Sequence, residues 1–130
     1  MQDSEKVDVL IVGAGPVGMF TALQLARTGV RVKVIDQEWG SASQSYACAL
    51  FPPVLKAFDQ GGFLPSLLAR GRPVKTVAFY EGRLRRGEIN LARLSPEYPY
   101  LLLIPQNELE NLLEDLIEGQ TQCKVKWSHR

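Results

Sequence analysis

Val7–Gly18 reads VDVLIVGAGPVG, and the reading of these twelve residues decides the fold. Five of the six residues from Val7 to Val12 are apolar, and Val9, Ile11 and Val12 are β-branched. Such a run predicts a strand buried on both faces, as inside a parallel sheet. Gly13, Gly15 and Gly18 then form G-x-G-x-x-G at the junction with an amphipathic segment. Each glycine answers a different steric demand: Gly13 the tight turn off the strand, Gly15 the approach of a pyrophosphate to the backbone, Gly18 close packing of helix on strand. Pro16 suits a first helical turn because it has no N–H to leave unpaired and its φ is already near helical. The free N–H groups and the positive end of the helix dipole face an anion there, the dipole contributing about 0.3–1 kcal/mol.

Glycines fall into this spacing by chance, so the flanking sequence carries the argument. A helix is predicted over Pro16–Thr28, with Thr21, Gln24 and Thr28 on a polar stripe and Val17, Met19, Phe20, Ala22, Leu23 and Ala26 on a wide apolar face. Gly29 is its stop. A second strand, Arg31–Ile35, returns parallel through a right-handed crossover and ends in Asp36, 18 residues after Gly18. An acid at that distance accepts hydrogen bonds from an adenosine ribose and repels a 2′-phosphate. Strand, turn, helix, strand and acid together make a dinucleotide-binding βαβ unit. The fold class is therefore α/β, with a Rossmann-like core of parallel strands.

Further along, Gln37–Tyr46 is small and polar and reads as a loop. Pro52–Gln60 and Leu64–Ala69 are predicted as short helices, closed by Gly61-Gly62 and by Gly71. Val74–Tyr80 reads as a strand, Glu81-Gly82 as a turn, and Arg83–Leu91 as its antiparallel return. Arg83, Arg85 and Arg86 are better explained as a solvated hairpin tip than as a phosphate site. Tyr100–Ile104 is another run of strand length. Leu109, Leu112, Leu113, Leu116 and Ile117 recur at helical spacing, with Asn107 and Glu110 resembling a capping box. That cap would leave Gln106 outside the helix with its side chain free. Gly119 ends the helix, and Lys124–Trp127 is a last strand.

The 130 residues suffice for one domain with a real core, spanning 1–130. Fifteen basic against fourteen acidic residues leave a formal charge of +1, which gives no electrostatic case for nucleic acid or an anionic membrane. Cys48 and Cys123 are far apart with no metal-ligand spacing, so neither a metal nor a disulfide framework is expected. The acidic start MQDSEKVD and the glycine-broken apolar run argue against a signal peptide and a membrane span. A cytoplasmic location is the resulting expectation. His129 is the sole histidine and reads as a surface residue. No side chain is assigned a catalytic role.

VDVLIVGAGPVGMFTALQLARTGVRVKVIDQ resembles the N-terminus of the FAD-dependent aromatic hydroxylases, single-component flavoprotein monooxygenases of the para-hydroxybenzoate hydroxylase type. YPYLLLIPQNELENLLEDLI is the more discriminating match, because that family places a strand, Pro-Gln and an acidic leucine-rich helix at this position. The resemblance implies FAD as cofactor, with Gly13, Gly15 and Gly18 at its pyrophosphate, Asp36 at the adenosine ribose and Gln106 on the flavin side. It also implies NAD(P)H as co-substrate and hydroxylation of a small aromatic substrate with O2. Tyr46-Ala47-Cys48-Ala49-Leu50-Phe51-Pro52-Pro53-Val54-Leu55 departs from the family pattern. Tyr46 stands where many members carry an arginine, and a phenol brings neither charge nor a fork of donors.

Motif and resemblance together give the candidate cofactor-binding set Gly13, Ala14, Gly15, Pro16, Val17, Gly18, Asp36, Gln37, Tyr46 and Gln106. The hairpin in 74–91 is expected to belong to the substrate-side sheet. The Asp-Gly and Gly-Asp segments that complete the family's FAD site do not occur in the chain. The chain alone is therefore expected not to hydroxylate, and to pair with a second copy or with the missing half of the site. The alternatives are a non-catalytic FAD- or nucleotide-binding module and the NAD-binding domain of a dehydrogenase.

Overall fold

A computed structural model describes residues 6–40 and 46–129. The chain divides into two compact units, residues 1–45 with 106–130, and residues 46–105. In the first, β1 (Val9–Val12), α1 (Pro16–Arg27) and β2 (Val32–Ile35) form the βαβ unit that the glycine stretch predicts. After the second unit the chain returns through α4 (Gln106–Glu118) to β8 (Cys123–Lys126). All three strands are parallel in the order β1-β2-β8, with Val9 opposite Val32 and Val32 opposite Cys123.

This register places Val9, Ile11, Val32, Val34 and Cys123 on one face of the sheet. Over it α1 contributes Met19, Ala22, Leu23 and Ala26, and α4 contributes Leu109, Leu112, Leu113 and Ile117, all buried. The two helices pack on each other. Burial of each large side chain contributes roughly 1.5–3 kcal/mol, which is what holds helices this short. The opposite face is different. Leu10 is 54% exposed and Val12 is 78% exposed. At the far end of the strands, Arg31 grips Asp8 through Nε–H and its terminal nitrogen, at 3.0 and 2.7 Å.

The second unit holds β3 (Ala47–Leu50), α2 (Pro52–Gln60), α3 (Leu64–Arg70), β4 (Arg72–Val74), β5 (Thr76–Glu81), β6 (Leu84–Asn90) and β7 (Leu101–Pro105). β3 and β4 flank β7 in an antiparallel sheet, while β5 and β6 form a separate hairpin. Leu55, Phe58, Leu67, Tyr98, Leu102 and Ile104 are its buried apolar side chains. The Tyr98 hydroxyl donates to Asp59 Oδ2 at 2.6 Å.

Several boundaries differ from expectation. The predicted strand Val74–Tyr80 is broken at Lys75 into β4, which pairs with β7, and β5, which pairs with β6. β3 was not predicted: four residues of ACAL carry no periodic signal and are extended only through β7. Leu91–Arg93, expected to begin as strand, forms one 3-10 turn, capped by the Asn90 side chain, whose Oδ1 accepts the Ala92 N–H. On the hairpin, Arg86 Nε–H donates to Glu81 Oε2 at 2.7 Å and Arg85 pairs with Glu88, so both arginines have acidic partners. The loop predicted over 37–46 is irregular at 37–40, and its residues 41–45 lie outside the described ones. No described helix is long and apolar enough to cross a membrane.

Candidate functional site

The site forms where β1 hands over to α1. Gly13 has φ +110°, a value that side chains with a Cβ rarely adopt, so the turn itself demands glycine. Its N–H donates to the Ile35 carbonyl at 2.8 Å, which ties the turn to the end of β2. Gly18 is demanded by packing: a Cβ there would lie 2.0 Å from the Gly13 carbonyl oxygen and 3.4 Å from Ile11 Cγ2. Gly15 is different from both. Its φ of −74° and ψ of 177° are open to any residue, and a Cβ on it would meet no protein atom within 4 Å. Nothing in the protein requires glycine there, and the space beside it is open.

Gly15 is the N-cap of α1 and Pro16 is the first helical residue, with no side chain capping the end. The N–H groups of Val17 and Gly18 accordingly have no intrahelical acceptor. A shallow depression lined by Val12, Gly13, Gly15, Pro16, Val17 and Thr21 lies over them. Val17 is 81% exposed at its rim.

Asp36 closes the site from β2. Its Oδ2 accepts the Ala14 N–H at 2.7 Å and its Oδ1 accepts the Glu38 N–H at 2.9 Å. The Glu38 and then the Ala14 amide hold the carboxyl below its ordinary value, against an upward push from partial burial. Two carboxylate oxygens offer about four lone-pair sites, so acceptor capacity remains for a further donor. The loop beyond is pinned as well: Ser128 N–H donates to the Glu38 carbonyl and His129 N–H to the Asp36 carbonyl, each at 2.8 Å.

The structure thus brings Gly13, Ala14, Gly15, Pro16, Val17, Gly18 and Asp36 together. Ala14 is buried, and its N–H is committed to Asp36. Gln37 is exposed next to Asp36. Tyr46 belongs to the other unit and is 67% exposed. The capping arrangement expected at α4 is not the one observed. The helix starts directly after β7 at Gln106, two residues earlier than a cap at Asn107 allows. Gln106 Nε2–H donates to Glu110 Oε1 at 2.8 Å, so its side chain is engaged within the first turn instead of standing free. Glu110, on the inward side of the helix and only 3% exposed, draws the amide toward it. One residue near the site went unremarked in the sequence: Trp39, 90% exposed, three positions past Asp36. Among the described residues no cluster of metal-ligating side chains occurs.

Residues 6–130 match the model of the FAD binding domain. The 6-methylpretetramide 4-monooxygenase of Streptomyces rimosus is 41% identical over 90% of this chain and 21% of its own length. The para-nitrophenol 4-monooxygenase of Pseudomonas sp. (strain WBC-3) is 30% identical over 94% of this chain and 31% of its own. The crystal structure of the p-nitrophenol 4-monooxygenase from Pseudomonas putida DLL-E4 superposes with a TM-score of 0.87 at 32% identity, over 93% of this chain and 31% of that one. The chain spans between a fifth and a third of the length of these relatives. The open space at Gly15, the uncapped N-terminus of α1 and the carboxylate of Asp36 fit the ADP half that FAD and NAD share, and the family match decides for FAD. The chain belongs to the FAD-binding domain family, among relatives that are flavin-dependent monooxygenases of aromatic compounds.

Proposed function

We propose that the chain forms the ADP-binding part of the FAD site in a monooxygenase that hydroxylates an aromatic ring with NAD(P)H and O2. The observation that carries the reading is Gly15, a glycine for which the protein has no internal use, at the open end of a helix. Bound there, FAD supplies the redox and oxygen-activating chemistry, and the chain's residues bind and orient it. The Val17 and Gly18 N–H groups donate to the pyrophosphate, and the absent Cβ of Gly15 lets it approach. Asp36 accepts the ribose hydroxyls with its remaining lone pairs, while its charge disfavours a 2′-phosphate. Ala14 serves by holding the turn to Asp36, and Gln37 borders the ribose.

On this reading Gln106 approaches the flavin side with its Oε1, the Nε2 amide being held by Glu110. Tyr46 takes the place of the family's arginine with a single phenolic donor. The β5–β6 hairpin belongs to the substrate side. Phe79 and Ile89 are about half exposed on one of its faces, an apolar surface suited to a larger sheet. Cys48 and Cys123 are free thiols, in keeping with a cytoplasmic protein.

Titration of the chain with FAD tests the reading. Gly15→Val should abolish binding while leaving the circular dichroism spectrum unchanged. Full affinity in a folded Gly15→Val variant removes the glycine turn from the site.

A further inference from the structure

Trp39 is the most exposed large apolar side chain among the described residues, at 90%. A covered tryptophan buries about 150–250 Å², so leaving this one in water forgoes more burial than any other exposed position among the described residues. Its stem is not loose. Glu38, the residue before it, donates its N–H to Asp36 Oδ1 at 2.9 Å and receives the Ser128 N–H on its carbonyl at 2.8 Å. The indole therefore stands on a tethered backbone directly past the carboxylate. Three residues span at most about 10 Å even when extended, and the Asp36–Glu38 turn shortens that reach. The second tryptophan is already engaged: Trp127 Nε1–H donates to Glu114 Oε1 at 2.8 Å, and the ring is half-buried.

A nucleotide with its pyrophosphate at Gly15 and its ribose on Asp36 carries its base on the Asp36 side, away from the flavin. We propose that Trp39 forms one wall of the adenine subsite, stacking its indole against the purine. The inference rests on the nucleotide-binding reading above and adds the recognition of the base. The exposed aromatic face is then a preorganised platform: an indole has few rotatable bonds to order and a large π surface to offer.

ADP is the probe, because it carries the adenine without a flavin that would itself quench tryptophan emission. Calorimetric and fluorescence titrations are run on the wild-type chain and on Trp39→Phe, Trp39→Ala and Gly15→Val. ADP should quench the wild-type emission. Trp39→Phe should abolish that quench and keep the affinity within a few-fold, whereas Trp39→Ala should weaken ADP by about 5- to 100-fold. Wild-type affinity in Trp39→Ala, or a quench that survives in Trp39→Phe, overturns the stacking proposal and leaves the glycine-turn reading standing. Calorimetric silence of ADP on the wild-type chain overturns both. Loss of ADP in Gly15→Val with unchanged emission of the free chain supports the shared site.

Discussion

Gly15 and Gly18 lie three residues apart in one motif, and the structure predicts opposite consequences for the same substitution at each. Gly18→Ala puts a Cβ 2.0 Å from the Gly13 carbonyl oxygen, against an ordinary carbon–oxygen contact of about 3.3 Å or more. The obstacle is backbone and cannot rotate away. It is also pinned, because the Gly13 N–H is bonded to Ile35 and the Ala14 N–H to Asp36. Relief requires α1 to lift off the turn by about 1 Å, a form of overpacking that costs about 1–3 kcal/mol or more. Better helix propensity returns at most about 1 kcal/mol of it. For a chain of this size the net loss corresponds to a fall in Tm of roughly 5–10 °C. Gly15→Ala meets nothing within 4 Å and keeps an allowed backbone. Its stability should stay within about 1 kcal/mol of neutral, the small gain from a stiffer unfolded chain offsetting a poorer N-cap. FAD affinity should instead fall by about 10- to 100-fold, as charge-assisted bonds worth about 1.5–3 kcal/mol are pushed out of reach. Thermal unfolding without ligand, followed by FAD titration of the same samples, reads both effects. The reasoning is refuted by equal destabilisation of the two variants, or by a Gly18→Ala chain that melts like the wild type.

Two pH dependences follow from named hydrogen bonds. Asp36 titrates below its ordinary 3.8 in the folded chain, so its contribution is present above that value and is lost as pH falls through the lower folded one. The acid limb of a stability-against-pH curve should be shallower in Asp36→Asn, and an unchanged limb would show that the Ala14 and Glu38 amides do not favour the charge. Tyr98, whose hydroxyl donates to Asp59, is pushed up to about 12 from its ordinary 10.0, first by that bond and then by burial. Its contribution is complete below pH 10 and is lost as pH rises through 12. In an alkaline titration followed by phenolate absorbance, Tyr98→Phe should remove the latest-ionising phenol; loss of an early one refutes the pairing.

The sequence made the βαβ unit legible because its signals are local. A β-branched run, a glycine turn and a 3.6-residue stripe each declare themselves within a dozen residues, and α1 and β2 fall within two residues of where they were expected. Asp36 was legible for the same reason, its spacing from Gly18 being set by one helix and one strand. What went unread depends on distant partners. ACAL at Ala47–Leu50 is strand only because Leu102–Pro105 lies beside it. The break at Lys75 exists because Val74 pairs with Leu101 while Thr76 pairs with Asn90. The side chain of Gln106 was expected to be free, since a cap at Asn107 is as consistent with the sequence as a helix beginning two residues sooner; the buried carboxylate of Glu110 holds the Gln106 amide in the first turn. Trp39 carried a signal that was available, a lone aromatic in a polar loop, but exposure is a property of the fold and not of composition.

In sequence, residues 46–105 interrupt the other unit, which has a consequence for the order of folding. β2 pairs with β8 through Val32 and Cys123, 91 positions apart, so the three-stranded sheet closes only across a whole intervening unit. The contacts of that unit lie within 60 residues of one another, and those of the β5–β6 hairpin within fifteen. Sequence-local contacts form sooner, because less loop entropy is lost before they are rewarded. On a ribosome adding about 5–20 residues per second, β1, α1 and β2 wait several seconds or more for β8 to be made. During that interval β2 has a bare edge, and Met19, Leu23 and Val34 lack the cover of α4. The inserted unit can fold before β8 is made, while the strands begun earliest wait for it.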